Sequence, residues 1–230
     1  GPETATLLIQ GTIPANRSSF AVKGAMHHPD ACFRAELEKR LKGKGITLDK
    51  QKIEDGERHA LFTLVSPFLK DIVYYTNKNS INLFAEALGE LISPTDYART
   101  VKAELSGMGI DSCGITLKDA SGLSPANAVP AEVFTDLLIW AKGHLSDVFV
   151  ASLPQGNVDW GLRIYSDHPI LRGNILAKTG SMSGVRALAG YLKTQRGETL
   201  AFTILVNNYV GDPVKVQEII RDLLKEFADK

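Results

Sequence analysis

Two short clusters carry side chains suited to chemistry on a peptide. The first is Lys178-Thr179-Gly180, which sets an ammonium, a hydroxyl and an unhindered backbone in succession. Lys supplies charge, Thr supplies a donor, and Gly lets a ligand backbone come close, so at a sheet edge the triplet is a receptor for a carboxylate. At an ordinary strand end the same residues are only a lysine and a turn glycine. The second cluster is Ser80-Ile81-Asn82. In a non-helical turn, residues two apart can present a hydroxyl and a carboxamide to one cleft while Ile81 faces inward. The competing reading is a Ser cap beside a solvated Asn. Together the clusters offer a hydroxyl to move a proton, an amide to grip a peptide group and a Lys-Thr pair for a carboxylate, which describes a peptide-processing pocket.

Other polar residues carry less. His27-His28, His59, His144 and His168 show no metal-ligand spacing. Cys32 and Cys113 lie far apart with no C-x-x-C pattern, so a zinc site is not expected, and both read as buried or half-buried thiols. No metal or cofactor is expected. Asp159-Trp160-Gly161 reads as an irregular segment anchored by a buried Trp, and Tyr74-Tyr75 as core plus rim.

The elements that position these residues follow from pattern. The runs Val185 to Lys193 and Thr199 to Val206, joined across Gln195-Arg196-Gly197-Glu198, predict a β-hairpin. With the apolar run ending at Lys178 they predict three antiparallel strands. Asp212-Pro213 caps a last helix whose Val216, Ile219, Ile220, Leu223, Leu224 and Phe227 form an apolar face. Further helices are expected from Asp30 through Leu41 and from Ser66-Pro67 to a break at Asn77 to Ser80. Others are expected across Leu83 to Leu91, from Ser93-Pro94 with Asp96 to Gly107, from Pro130 through Ala141, and over Ser146 to Leu153. Ala5 to Ile9, Ile46 to Ile53, Ala60 to Val65 and Ile115 to Lys118 read as short strands, and Gln155 to Pro169 as irregular. The fold class is α/β in the layered α+β sense, an antiparallel sheet flanked by helices, with no internal boundary between residues 1 and 230.

With 44% apolar and 23% charged residues the 230-residue chain is composed like an ordinary globular protein. Its 26 basic and 26 acidic residues cancel, which gives no electrostatic case for nucleic acid or an anionic membrane as partner. No apolar run is long enough to span a bilayer. The first residues show no charged-apolar-small signal pattern, and Gly1-Pro2 reads as a scar left by tag removal, so any native leader or upstream sequence is expected to have been lost.

Ser-x-Asn at Ser80 and Asn82, Asp-x-Ser-Gly-Leu-Ser at Asp119 to Ser124, and Lys-Thr-Gly-Ser at Lys178 to Ser181 occur in that order. As a set the sequence resembles the penicillin-binding D-alanyl-D-alanine carboxypeptidases and endopeptidases, in particular the low-molecular-mass class with a large insert between its first and second motifs. The resemblance runs from about Pro14 to the terminal helix. It implies the penicillin-recognising serine transpeptidase and β-lactamase-like fold with its N-terminal part missing. It also implies a periplasmic enzyme acting on peptidoglycan stem peptides ending in D-Ala-D-Ala, through an acyl-enzyme that β-lactams also form. Ser80 would relay a proton to the leaving amine and Asn82 would hold the substrate amide. Lys178 and Thr179, with Gly180 between them and the next turn, would take the terminal carboxylate, and the Ser181 N–H would form half of an oxyanion hole. Leu123, Ser124, Met182 and Ser183 match positions lining the pocket for the stem-peptide side chain.

Two departures stand out. Ala120 and Pro125 replace residues of the family loop, and the second removes an arginine that the loop usually supplies. No serine has a lysine three residues on, so the family's Ser-x-x-Lys nucleophile is expected upstream of residue 1, and this chain alone should not acylate. The missing half, or a second copy of the chain, is the expected protein partner. Two rival readings remain at this point: a non-catalytic module that binds peptidoglycan peptide, and a β-lactamase-like hydrolase.

Overall fold

The computed structural model describes residues 11–21, 26, 28–47, 60, 62–145 and 147–229. The chain divides into two compact units, Gly1–Thr63 and Leu64–Lys230.

In the first unit the described residues form α1, Pro29–Gly43. The expected helix is present, but His28, in the left-handed region at φ 49°, is its N-cap, and Asp30 lies in the first turn. Pro29 explains the shift: its fixed φ suits the first helical position, so the cap must precede it. At the other end Gly45 N–H reaches Lys42 O and Ile46 N–H reaches Leu41 O, the paired bonds of a Schellman stop. Cys32 is exposed rather than buried, as the whole helix is nearly bare of burial within this unit. The strand expected at Ala5 to Ile9 and most of that at Ile46 to Ile53 lie outside the described residues. The described part of Ala60 to Val65 carries no strand; β-branched and apolar residues make a strand only where a neighbour completes the ladder.

The second unit opens with three helices, α2 (Leu69–Asn79), α3 (Asn82–Ile92) and α4 (Tyr97–Gly107). Asp96 itself caps α4, its carboxylate accepting from Arg99 N–H at 3.3 Å, so Pro94 precedes the helix instead of occupying its first position. Ile110 N–H returning to Leu105 O ends α4, and both side chains are buried together with Ile115 and Val133. The Ile115 to Lys118 stretch contributes a single bridge, Thr116 to Ala128. Next come α5 (Ala131–His144), α6 (Asp147–Ser152) and a 3-10 turn, Trp160–Leu162, running into α7 (Arg163–Ser166).

Three antiparallel strands follow in the order β1 (Ile175–Met182), β2 (Val185–Lys193) and β3 (Thr199–Asn207), and α8 (Pro213–Ala228) closes the unit. The strand period of two assigns every side chain to a face. Ile175 and Ala177, opposite Leu192 and Gly190, point to the layer holding Leu162, Tyr165, Leu171 and the α8 residues Ile220, Leu224 and Ala228. Leu176 and Tyr191 point the other way, onto Leu138 of α5 and Leu153 beyond α6. The sheet is thus sandwiched between α8 on one side and α5 and α6 on the other. On α8 the row Val216, Ile220, Leu224 faces the core, whereas Ile219, 68% exposed, and Leu223 lie outside it. A helix packed on one sheet buries a single i, i+4 row, narrower than the six-residue stripe. Among the described residues no helix is long and apolar enough to cross a membrane.

Candidate active site

The sheet's alternation places Lys178 on the α5 and α6 face, one residue past buried Ala177, and its chain reaches the end of α2. There its ammonium donates to Ser80 Oγ at 2.8 Å and to the carbonyl of Thr179 at 2.8 Å. Burial strips water from this ammonium and lowers its pKa from the usual lysine range. Ser80 is presented by a break shorter than the sequence suggests. Asn77, Lys78 and Asn79 remain helical, and Ser80 alone turns into the left-handed region, at φ 53° and ψ 52°. Asn82 is already the first residue of α3, and Ile81 is its N-cap. Ile81 is half-buried while Ser80 and Asn82 are exposed, as the in-and-out alternation requires.

Thr179 occupies the opposite sheet face. A Cβ added to Gly161 would stand 3.4 Å from Thr179 Oγ1, so glycine there leaves the hydroxyl room. Thr179, Gly180 and Ser181 line a cavity of about 490 Å³ together with Trp160, Tyr165 and Gln217. Ser181 Oγ and the carbonyl of Met182 accept from Arg186 Nη1, whose guanidinium lies over the Tyr209 ring. Ser183 and Gly184 make the β1–β2 turn between the paired Met182 and Val185, Gly184 taking the positive φ of 69° that the turn needs.

Leu123 and Ser124 belong to a loop organised by two carboxylates. Asp119 accepts from Gly122 N–H, Ser124 N–H and Asn127 Nδ2 at 2.8, 2.6 and 2.7 Å. Glu86 of α3 accepts from Ser121 N–H at 2.9 Å and Ala120 N–H at 3.4 Å. The Ser121 bonds hold the Glu86 pKa below its ordinary value. The structure therefore brings Ser80 and Lys178 into direct contact and strings Thr179 to Ser183 along the same strand and turn. The loop of Leu123 and Ser124 is hydrogen-bonded to the Asn82 helix through Glu86 and packs on it at Gly89.

Several residues escaped the sequence reading. Lys78, inside the supposed break, pairs with Asp159 at 3.0 Å, and Asn77 Nδ2 donates to Ser152 Oγ at 2.7 Å. The only sequence signal was that both stretches are polar among apolar runs; spacing cannot pair side chains this far apart. Trp160 is not the buried anchor expected: it is 89% exposed, and neighbouring Leu162, fully buried, holds the segment instead. Cys113 is likewise exposed. Its backbone N–H donates to Asp111 Oδ1 at 2.8 Å in an Asx turn. Among the described residues no three His, Cys, Asp or Glu side chains cluster so as to hold a metal ion.

Comparison with known proteins bears on this arrangement. The chain is 30% identical over 253 residues to a D-alanyl-D-alanine carboxypeptidase of an Actinomadura species, with 98% of this chain and 46% of the relative covered. It is 29% identical over 224 residues to the D-alanyl-D-alanine carboxypeptidase DacB of Haemophilus influenzae, covering 89% of this chain and 46% of the relative. The chain thus spans about half the length of the curated relatives it matches. The crystal structure of penicillin binding protein 4 (dacB) from Haemophilus influenzae, complexed with a novel β-lactam, superposes with a TM-score of 0.80 at 28% identity, over 92% of this chain and 54% of that one. The layered sheet with its flanking helices is accordingly that of the penicillin-recognising enzymes. Residues 2–230 match the D-Ala-D-Ala carboxypeptidase 3 (S13) family, and the chain belongs to that family.

Proposed function

We propose that the chain is the C-terminal portion of a serine-type D-Ala-D-Ala carboxypeptidase or endopeptidase that cleaves peptidoglycan stem peptides in the periplasm through an acyl-enzyme. The observation that carries this reading is the 2.8 Å contact between Lys178 Nζ and Ser80 Oγ. An ammonium has donors and no acceptor, so Ser80 can only accept from Lys178, which leaves its own O–H to donate elsewhere. In this reading it donates to the amine of the departing D-alanine. A serine oxygen from outside this chain bonds to the penultimate carbonyl carbon, the C–N bond breaks, and the amine takes its proton through Ser80. Water later cleaves the ester. Asn82, one residue beyond Ile81, holds the substrate amide; Lys178 and Thr179, on the two faces of the edge strand β1, flank the terminal carboxylate at the strand's free edge, where Gly180 leaves room for it. The Ser181 N–H supplies one oxyanion donor, and Leu123, Ser124, Met182 and Ser183 line the side-chain pocket.

No serine in the chain has lysine at the third following position, so the reading assigns the nucleophile to a segment preceding residue 1. The exposed apolar run Leu64, Val65, Phe68 and Leu69 at the start of α2, with Leu83 of α3, is the surface that segment would cover. Domain organisation follows the same reading: residues 1–230 are the later part of one DD-peptidase domain, supported by a family match across both units.

A fluorescent penicillin tests the reading. The full-length protein should be labelled covalently, Ser80→Ala should slow that labelling, and the 230-residue chain alone should stay unlabelled. Labelling of the isolated chain would overturn the assignment of the nucleophile, and an unlabelled full-length protein would overturn the function.

A further inference from the structure

The last turn of α2 is fastened to the segment that leads into β1, and the fastenings form a closed ring around the Ser80 and Lys178 contact. Lys78 Nζ donates to the Leu153 carbonyl at 2.6 Å and to Asp159 Oδ2 at 3.0 Å. Both side chains are largely withdrawn from water, at 12% and 21% exposed. Asp159 Oδ2 also accepts from Gln155 N–H at 2.6 Å, which folds the segment back upon the ion pair. The segment in turn joins the sheet: Ala177 N–H donates to Pro154 O at 2.9 Å, and Gly156 N–H donates to Ile175 O at 2.9 Å. From Ser80 the path runs two residues back to Lys78, across to Leu153, on to Pro154, across to Ala177 and one residue along to Lys178. Its ammonium then returns to Ser80 at 2.8 Å.

We propose that Lys78 is a positioning residue for the Ser80 and Lys178 pair, its bonds to Asp159 and Leu153 setting the width of the gap between α2 and β1. A left-handed Ser80 hangs from the helix end with no side-chain bond of its own to the sheet other than Lys178, so its place depends on the turn before it. That turn carries two anchors, Asn77 and Lys78. Lys78 is the charged one, its ammonium also lying 5.7 Å from the centre of the Tyr74 ring on the preceding turn. A flexible lysine held by a carbonyl, a carboxylate and an aromatic face loses its freedom before substrate arrives, which is how a positioning group acts without touching the reacting atoms. The role rests on the functional reading above for its catalytic meaning, but the geometry it sets does not.

The test has two arms. In the full-length protein the rate of acylation by a fluorescent penicillin should fall about 100-fold for Lys78→Met, the cost of misplacing reacting groups by about an ångström. It should recover to within about tenfold in Lys78→Arg, which can still donate to both acceptors. In a Ser80→Ala background, Lys78→Met should cost less than about threefold, because a residue acting through Ser80 has nothing left to position. An equal loss in both backgrounds would mean general destabilisation and overturn the proposal, as would an undiminished rate in Lys78→Met. Should Lys78→Met fail to fold, Asp159→Asn carries the same comparison, with a loss of about tenfold because the Leu153 bond survives. The second arm is a crystal structure of the full-length protein with the substitution that folds. The Ser80 Oγ to Lys178 Nζ distance should open beyond hydrogen-bond range, and an intact contact would overturn the proposal. A wild-type protein that penicillin never labels would refute the functional reading while leaving this arm to decide the positioning role.

Discussion

Gly190→Ala is the substitution with the clearest sign. Gly190 sits in the middle of β2 opposite Ala177, and its backbone φ is not in the positive range, so alanine meets no torsional objection there. On chain entropy alone the change should stabilise the fold, by about 0.4–1 kcal/mol. The neighbours say otherwise. A Cβ at 190 would stand 2.1 Å from the Leu176 carbonyl oxygen, 2.5 Å from Ala177 Cα and 2.7 Å from Ala177 Cβ. Carbon and carbonyl oxygen rest at about 3.3 Å, so β1 would have to retreat by about 1.2 Å. The obstacle is backbone, which cannot rotate aside as a side-chain tip can. Overpacking of this kind costs about 3 kcal/mol at the upper end of its usual range. Subtracting the entropic gain leaves about 2 kcal/mol of destabilisation, or a Tm lower by about 4–8 °C for a unit of this size. Differential scanning calorimetry on the chain measures it. The matched control is Gly143→Ala near the end of α5, where nothing lies within 4 Å of the added carbon and where helix propensity favours alanine by up to about 1 kcal/mol. The control should raise Tm as Gly190→Ala lowers it. A Tm for Gly190→Ala at or above wild type would refute the close approach of β1 and β2 and with it the register that puts Lys178 opposite Ala189.

Two further outcomes follow from buried polar groups. Tyr191→Phe removes a hydroxyl that donates to the Leu138 carbonyl at 2.7 Å in the layer between the sheet and α5, and urea denaturation should show a loss of about 1–2 kcal/mol; no loss would mean that water replaces the bond. For Lys178 the sign follows from burial. Its folded pKa lies below the ordinary 10.5, so the unfolded chain binds more protons between those two values. Relative to Lys178→Met, the wild-type chain should therefore gain stability as pH rises through that window and show no relative change below it; a difference that falls with rising pH would contradict the burial of this ammonium.

The sheet and its lysine were readable in advance because their signals are local. Strand alternation, a Gly197 turn and the Asp212-Pro213 cap each act within a few residues, and they gave β2, β3 and the start of α8 at or within a residue of their observed ends. What defied reading was set by distance or by context. Asp159 joins Lys78 across 81 residues of chain, and no spacing rule links them. Trp160 looked like an anchor because large aromatics usually are, yet Leu162 two residues on won the buried place. The interruption at Asn77 to Ser80 looked like a loop because its residues are polar, but Asn77 and Lys78 are partnered by Ser152, Leu153 and Asp159, and the helix continues to Asn79. Ser80 and Asn82 were readable as a pair of residue types, while the left-handed backbone of Ser80 itself was not.

The contact between Lys178 and Ser80 joins positions 98 residues apart in the chain. The Lys178 side is a meander of near neighbours, β1, β2 and β3 succeeding one another, whereas α2 on the Ser80 side is itself held by Ser152, Leu153 and Asp159 far along the chain. Closing a long span of chain demands more conformational entropy than closing a short one, and contacts of wide sequence separation form late. The Ser80 and Lys178 contact therefore carries a chain-closure cost that neither the meander nor the neighbouring helices bear by themselves.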